Sequence, residues 1–236
     1  LEDIQRMSMI VQDMLFLSQA DRGAEARREH VASLAGVARA VVELHEAAIE
    51  EAGLKVRIDG DATGLADVRL LQRALSNLIG NATRHAHPHS TVVVQIDRLD
   101  GEIALRVVNE GQTISAEHLP NLFNRFYRAD AARSDAARNH GLGLAIVAAI
   151  ASMHGGRTMV DSSNGITSIG LMVPTPARAI VNGSGTTNRL APLANYFFQQ
   201  EKRHKADKEH RRHPGAIWRF VCFDQQFFGH EVEQRN

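Results

Sequence analysis

Asn77, Asn81 and Arg84 stand four and seven residues apart, in a stretch where Leu71, Leu75, Leu78 and Ala82 recur at helical spacing. At about 100° per residue, the three polar side chains fall within roughly 60° of one another on one helix face. Two amides and a guanidinium in line offer acceptor oxygens for a hard cation beside a forked phosphate donor. A solvated face with chance Asn residues is the alternative, although Asn is a weak helix former and two in one buried-looking helix call for a reason. Further on, Phe123-Asn-Arg-Phe-Tyr-Arg128 leads into a polar, Ala/Arg/Asp-rich stretch at 129–139, and then into Asn139-His-Gly-Leu-Gly-Leu-Ala-Ile-Val147. Gly141 and Gly143 allow backbone to approach a phosphate, and the helix opening there aims unpaired N–H groups at it. A Gly-x-Gly alone is equally a tight turn into a helix. In this order and spacing, the three signals together outweigh any one of them.

The elements that must position these groups follow from periodicity. Residues 1–22 read as one helix, with Ile4, Met7, Val11, Met14 and Ser18 stepping by three and four as in a bundle or coiled coil. It is expected to be the end of a longer helix. A second amphipathic helix is expected over 31–52, ended by Gly53, and a half-buried strand over 54–58. A third helix spans 67–86 and is broken by Pro88. Strands at 92–96 and 103–108 are joined through Asp100-Gly101, a hairpin signal. A helix over 143–154 ends at Gly155-Gly156, and strands near 157–161 and 167–173 close the series. The order predicts an α+β fold, a two-layer sandwich with helices on one face of a mixed, mostly antiparallel sheet.

The 236 residues divide at a seam. Four of the twelve aromatic residues precede Pro176 and eight follow it, and the net charge changes from −4 over 1–176 to +4 over 177–236. Asn182-Gly-Ser-Gly-Thr-Thr-Asn188 reads as a linker. We expect a bundle helix at 1–25, a working domain at 26–176, and a poorly ordered linker and tail at 177–236. Balanced charge gives no field for nucleic acid, and no apolar run is long enough to span a membrane. The single Cys222 excludes an internal disulfide framework and fits a reducing, cytoplasmic setting. His85, His87 and His89 alternate around Pro88, but no Cys or carboxylate completes a metal shell there. Met7, Met9 and Met14 are read as bundle core rather than metal ligands.

The sequence resembles the catalytic and ATP-binding domain of sensor histidine kinases, built on the Bergerat fold. Residues 71–85 (LQRALSNLIGNATRH, ending at His85) are similar to the family's N box, and Val108-Asn-Glu-Gly-Gln-Thr-Ile114 stands at its G1 box. Leu122–Arg128 stands at the F box and Gly141–Val147 at the G2 box. The wording around HLPNLFNRFYRAD looks like the heavy-metal-responsive branch. The resemblance implies that Asn81 supplies an oxygen to Mg²⁺ and that Asn77 orients phosphate or metal. Arg84 is implied to pair with phosphate and His85 to pack beside adenine or ribose. It further implies that Asn109 stands where the family usually has an Asp that accepts the adenine amino proton, and that Gly111 lets backbone approach the base. Arg125 and Arg128 are implied to act near the lid, with Gly141, Leu142 and Gly143 along the phosphates. Ile114, His140, Leu144 and Thr167 complete the nucleotide-binding set, and Asn77, Arg84 and Arg128 are the expected catalytic groups.

Three departures qualify the match. Asn109 is neutral where an anion is usual, which turns a charge-assisted bond into one roughly half as strong. Thr113 and Asn139 replace box glycines, and the glycine-rich last box near 164–169 is degraded. The family's phosphoacceptor His, followed by a carboxylate and Arg/Thr-Pro, is not among the twelve His. The resemblance therefore implies ATP and Mg²⁺ as cofactors, an acceptor-histidine hairpin and a response regulator as partners, and a homodimer through 1–22 in a longer parent. The hydrolytic branch of the fold, as in DNA gyrase, has a Glu where this chain has Asn77, which cannot take a proton from water. A non-catalytic ATP-binding or dimerisation module is the other reading. Deleting 178–236 is expected to leave nucleotide affinity unchanged in calorimetry, and a loss of binding would show that the tail belongs to the working domain.

Overall fold

The computed structural model describes residues 2–99, 101–129, 140–175 and 221–222. The expectations placed on the stretch at 130–139 and on the tail at 176–220 and 223–236 lie outside the described residues. The described elements are α1 (Glu2–Asp21), β1 (Glu29–Val31), α2 (Leu34–Leu44), α3 (Glu46–Glu51), β2 (Lys55–Asp59), β3 (Gly64–Ala66), α4 (Val68–His85), β4 (Thr91–Leu99) and β5 (Glu102–Glu110). After them come a 3₁₀ turn (Leu119–Asn121), α5 (Gly143–Met153), β6 (Arg157–Ser163), β7 (Ile166–Pro174) and β8 (Val221–Cys222). Six strands form one sheet in the order β2-β4-β5-β7-β6-β8. β2 runs parallel to β4 and every other pair is antiparallel.

Alternation along the strands builds the core. Val92, Val94 and Ile96 of β4, Ile103, Leu105 and Val107 of β5, and Ile169, Leu171 and Val173 of β7 are buried in one cluster with the helices. Leu34, Ala38 and Val41 of α2, Leu71, Leu75, Leu78 and Ala82 of α4, and Ile146 and Ile150 of α5 meet them. Each large side chain buried this way is worth roughly 1.5–3 kcal/mol. The α4 leucine stripe thus faces the sheet, and the amides between its steps are turned away from it.

One predicted helix is divided. Over 31–52 the structure has β1, then α2, then a break at His45 before α3. Val31 pairs with Gly64 of β3, a two-stranded ladder that periodicity did not reveal. The Ser33 side chain caps α2 by accepting from the Gly36 N–H (2.9 Å), and Asp61 accepts from the Ala35 N–H and the Ser33 hydroxyl (both 2.8 Å). These caps start the helix three residues later than hydropathy suggests. At the break, His45 Nε2 meets Ser76 Oγ of α4 at 2.8 Å, a long-range bond that local pattern cannot encode.

α1 lies against α4 and α5 at its C-terminal half only. Leu17 is fully buried, whereas Ile4, Met7 and Val11 are 70%, 66% and 56% exposed. Arg73 of α4 holds α1 through Asp13 (2.6 Å) and lies over the Phe16 ring at 4.0 Å.

His154 closes the joint between α5 and α4. It is buried, its Nδ1 faces the Ile150 carbonyl (2.8 Å), and its Nε2 accepts from the Asp67 N–H (3.1 Å), which requires the neutral Nδ1–H tautomer. Burial pushes its pKa below the ordinary histidine value near 6.5, more than its bond to Ile150 raises it. A histidine depressed in the folded state lends stability above its unfolded pKa and loses it as pH falls toward the folded value. The urea midpoint is expected to fall as pH drops from 7 to 5, and His154→Gln should remove that part of the pH dependence.

Candidate nucleotide site

The groups singled out in the sequence converge on α4. From Asn77 to His85 the helix advances about 12 Å, at 1.5 Å per residue, a rail with one loop docked at each end. At the first end the start of α5 presses on Asn77. A Cβ added to Gly143 would lie 2.8 Å from Asn77 Oδ1, so only glycine fits there while the amide keeps its place. Asn77 Nδ2 in turn donates to the Arg73 carbonyl (2.9 Å), which fixes its orientation. α5 has no side-chain cap hydrogen bond at its N-terminus, so its first N–H groups are left without a capping side chain. Gly141 has φ +67, and its carbonyl accepts from the N–H of Phe126, itself left-handed at φ +63 and 57% exposed.

Asn81 is half-buried and its amide makes no hydrogen bond among the described residues. It is the one amide of the row with both ends open. Arg84 is exposed and folds back along its own helix, within 3.6 Å of where a Gly80 Cβ would stand, toward His45. Burial first, and the Arg84 cation second, push His45 below the ordinary histidine value, so the neighbour of Arg84 is neutral at pH 7. The backbone places Arg84 on the face of Asn77 and Asn81 as expected, while its guanidinium lies to one side, over the missing Gly80 side chain.

At the other end, β5 meets the last turn of α4. A Cβ on Gly111 would stand 2.4 Å from the His85 carbonyl oxygen and 3.2 Å from Asn109 Nδ2. The His87 N–H donates to the Glu110 carbonyl (2.8 Å), and Ala86 bridges to Gly111. Asn109, 5% exposed, pairs in register with Thr167 of β7. Thr167 Oγ1 contacts Ser162 Oγ (2.8 Å), which accepts from the Ile114 N–H (2.8 Å). Thr113 Oγ1 accepts from the Gly165 N–H, and the Gly111 N–H donates to the Gly165 carbonyl (both 2.8 Å). The loop after β5 is therefore pinned to the β6–β7 turn.

The expected set divides accordingly. Asn77 and Gly143 meet, and so do His85, Asn109 and Gly111, with Ile114 and Thr167 joined through Ser162. Leu142 is buried, so only its backbone faces the α5 start, and Leu144 packs against the core. Arg128 and His140 are half-buried at the flanks of the undescribed stretch. Arg125 points elsewhere. Its guanidinium grips both carboxylate oxygens of Asp21 at the end of α1 (2.6 and 2.7 Å). Sequence reasoning missed Ser162, whose place opposite Thr167 follows from the two-residue Asn164-Gly165 turn, and missed His45 and Ser76, which no local signal marks. No group of three His, Cys, Asp or Glu among the described residues could hold a metal, the His85–His89 run included.

Helices packed on the sheet, with a polar rail on α4 and a glycine approach at each of its ends, make an α+β sandwich. Residues 66–190 match the family model of histidine kinase-, DNA gyrase B- and HSP90-like ATPases, and the chain belongs to that family. It is similar to the sensor histidine kinase CusS of Escherichia coli K12, 40% identical over 163 residues, covering 69% of this chain and 34% of that protein. The chain thus spans about a third of the curated relatives it matches. Its fold is similar to full-length ShkA in complex with AMPPNP (TM-score 0.65, 23% identity, 81% of this chain and 38% of that one). It is likewise similar to histidine kinase ThkA in complex with the response regulator protein TrrA (TM-score 0.59, 19% identity, 74% and 48%). The chain carries an ATP-binding domain of this family.

The contact between Gly143 and Asn77 makes a prediction. Gly143→Ala should destabilise the domain, and the loss should shrink when Asn77→Ala removes the colliding amide. Urea midpoints of the two single variants and the double variant are expected to give a coupling of about 0.5–3 kcal/mol.

Proposed function

We propose that this chain is the catalytic part of a two-component sensor kinase, passing the γ-phosphoryl group of ATP to a histidine outside these residues, for relay to a response regulator. The observation that carries this reading is the rail of α4 with a glycine approach at each end. In the proposal the purine sits at the Asn109–Gly111–Thr167 end beside His85, and the phosphates run along Asn81 and Asn77 to the α5 N-terminus. Phosphoryl transfer asks little covalent chemistry of a protein, so positioned N–H groups, amides and arginines supply most of the catalysis.

Magnesium fits the donor set. The Asn81 amide is open, and Mg²⁺ prefers one or two protein oxygens plus substrate phosphates to an all-protein cage. Asn81 holds the ion, which neutralises charge on the phosphates when bound. Asn77 and the first N–H groups of α5 orient the phosphate chain. Arg84 and Arg128 are assigned to the developing charge, Arg84 by swinging off Gly80. Asn77 stands where a water-activating base would have to be and cannot accept a proton, which favours transfer to an imidazole over hydrolysis.

The bare apolar stripe of α1 supports a partner helix there. Ile4, Met7 and Val11 lie on one side of a helix anchored only at its other end, as expected of a homodimeric bundle that also carries the acceptor histidine. The solved complex of ThkA with TrrA supports a response regulator as the downstream partner, and the likeness to CusS supports the heavy-metal-responsive branch. Among the described residues no helix is long and apolar enough to cross a membrane, and we assign the domain to the cytoplasmic side of a membrane sensor.

Calorimetry with ATP, with and without Mg²⁺, tests the site. Asn81→Ala is expected to abolish the gain in affinity that Mg²⁺ confers, and an unchanged gain would refute the role of Asn81. Adding an isolated acceptor hairpin with ATP and Mg²⁺ should yield phosphohistidine on the hairpin. Binding without transfer would identify a non-catalytic module instead.

A further inference from the structure

Asn109 and Thr167 are buried polar side chains at the base end of the site. The Nδ2 of Asn109 has one partner, the carbonyl oxygen of its own neighbour Glu110, at a long 3.3 Å. Its Oδ1 has no partner among the described residues. Gly111 leaves open the space beside this amide, since any Cβ there would come within 3.2 Å of Nδ2. The neighbouring hydroxyls are engaged with one another and with backbone. Thr167 Oγ1 and Ser162 Oγ share a bond, and Ser162 accepts from the Ile114 N–H. Among the described residues no carboxylate is hydrogen-bonded to the Asn109 amide.

We infer that Asn109 sets the nucleobase specificity of this site, and that its amide admits 6-oxopurine nucleotides as well as adenine nucleotides. The inference rests on the ATP-site reading above. A carboxylate only accepts, so in this place it would draw the 6-amino group of adenine and repel a 6-oxo oxygen. A carboxamide both accepts and donates. With Nδ2 turned to Glu110, Oδ1 accepts from the adenine amino group. Turned the other way, Nδ2 donates to a purine O6; the turn gives up the long Glu110 contact and sets Oδ1 toward that carbonyl, which the new bond to O6 must offset. Purine specificity built on a buried hydrogen-bonding group is steep when the wrong base leaves that group unpaired. It is shallow when the group can change its role.

The test compares ATP with inosine triphosphate, which carries a 6-oxo group and N1–H in place of the 6-amino group. Both are titrated with Mg²⁺ into the full chain and into Asn109→Asp, with the urea midpoint confirming that the variant is folded. The wild-type chain is expected to prefer ATP by less than about tenfold. In Asn109→Asp, ATP should bind several-fold tighter through a charge-assisted bond and the preference should rise at least tenfold. A wild-type preference of tenfold or more, measured on the native chain alone, overturns the inference. So does a smaller rise in a folded variant. Failure of both nucleotides to bind the wild type overturns the ATP-site reading itself, whereas tight ATP binding with steep rejection of inosine triphosphate overturns only the role of Asn109.

Discussion

The site depends on how closely α4 can be approached from two sides. Its leucine stripe is sealed against the sheet, so the helix cannot shift without opening the core. With its position set, the backbone after β5 comes within reach of His85, and the start of α5 comes within reach of Asn77. Both approaches are shorter than any side chain permits, and both fall on glycines. A methyl group would collide with the His85 carbonyl at Gly111 and with the Asn77 amide at Gly143, so something would have to shift at either place. The polar face between these contacts is thereby held open rather than filled by protein.

The same helix couples the site to α1. Arg73, one turn before Asn77, spends its carbonyl on the Asn77 amide and its guanidinium on Asp13 and Phe16 of α1. Arg125, on the loop that leads to Gly141, is tied to Asp21. Exposed ion pairs such as Arg125–Asp21 contribute about 0–1 kcal/mol, so this end of α1 rests chiefly on the burial of Leu17 and the half-buried Ile10 and Phe16. Its other end presents uncovered apolar side chains. A helix that is core at one end and bare at the other is suited to carry a docked domain at one end and a partner helix at the other.

Polar groups at the base end are matched in a chain of single bonds, from Ile114 to Ser162 to Thr167, and from Gly165 to Thr113 and Gly111. Thr113, which interrupts the glycine pattern of the box, has a use of its own because its hydroxyl accepts the Gly165 N–H. The substitution exchanges backbone freedom for a bond between two loops. Asn109 lies at the edge of this network without joining its hydroxyls, and its acceptor oxygen has no partner among the described residues.

Much of this was legible in the chain alone. The period of Leu71, Leu75, Leu78 and Ala82 placed α4 within a residue at either end, because a helix that buries one face must repeat every three or four positions. The Asp100-Gly101 turn and the β-branched runs placed β4 and β5, since strand alternation and turn chemistry are local. The glycines of the boxes were visible as glycines. Tertiary structure alone decided what each one avoids: the His85 carbonyl for Gly111 and the Asn77 amide for Gly143. It also divided the helix expected over 31–52, where Asp61 acts on the Ser33 cap of α2 and Ser76 on His45 from elsewhere in the chain. Finally it turned Arg84 toward His45 and gave Arg125 to Asp21. Long side chains choose among charged neighbours by distance in space, and sequence spacing carries no record of that choice.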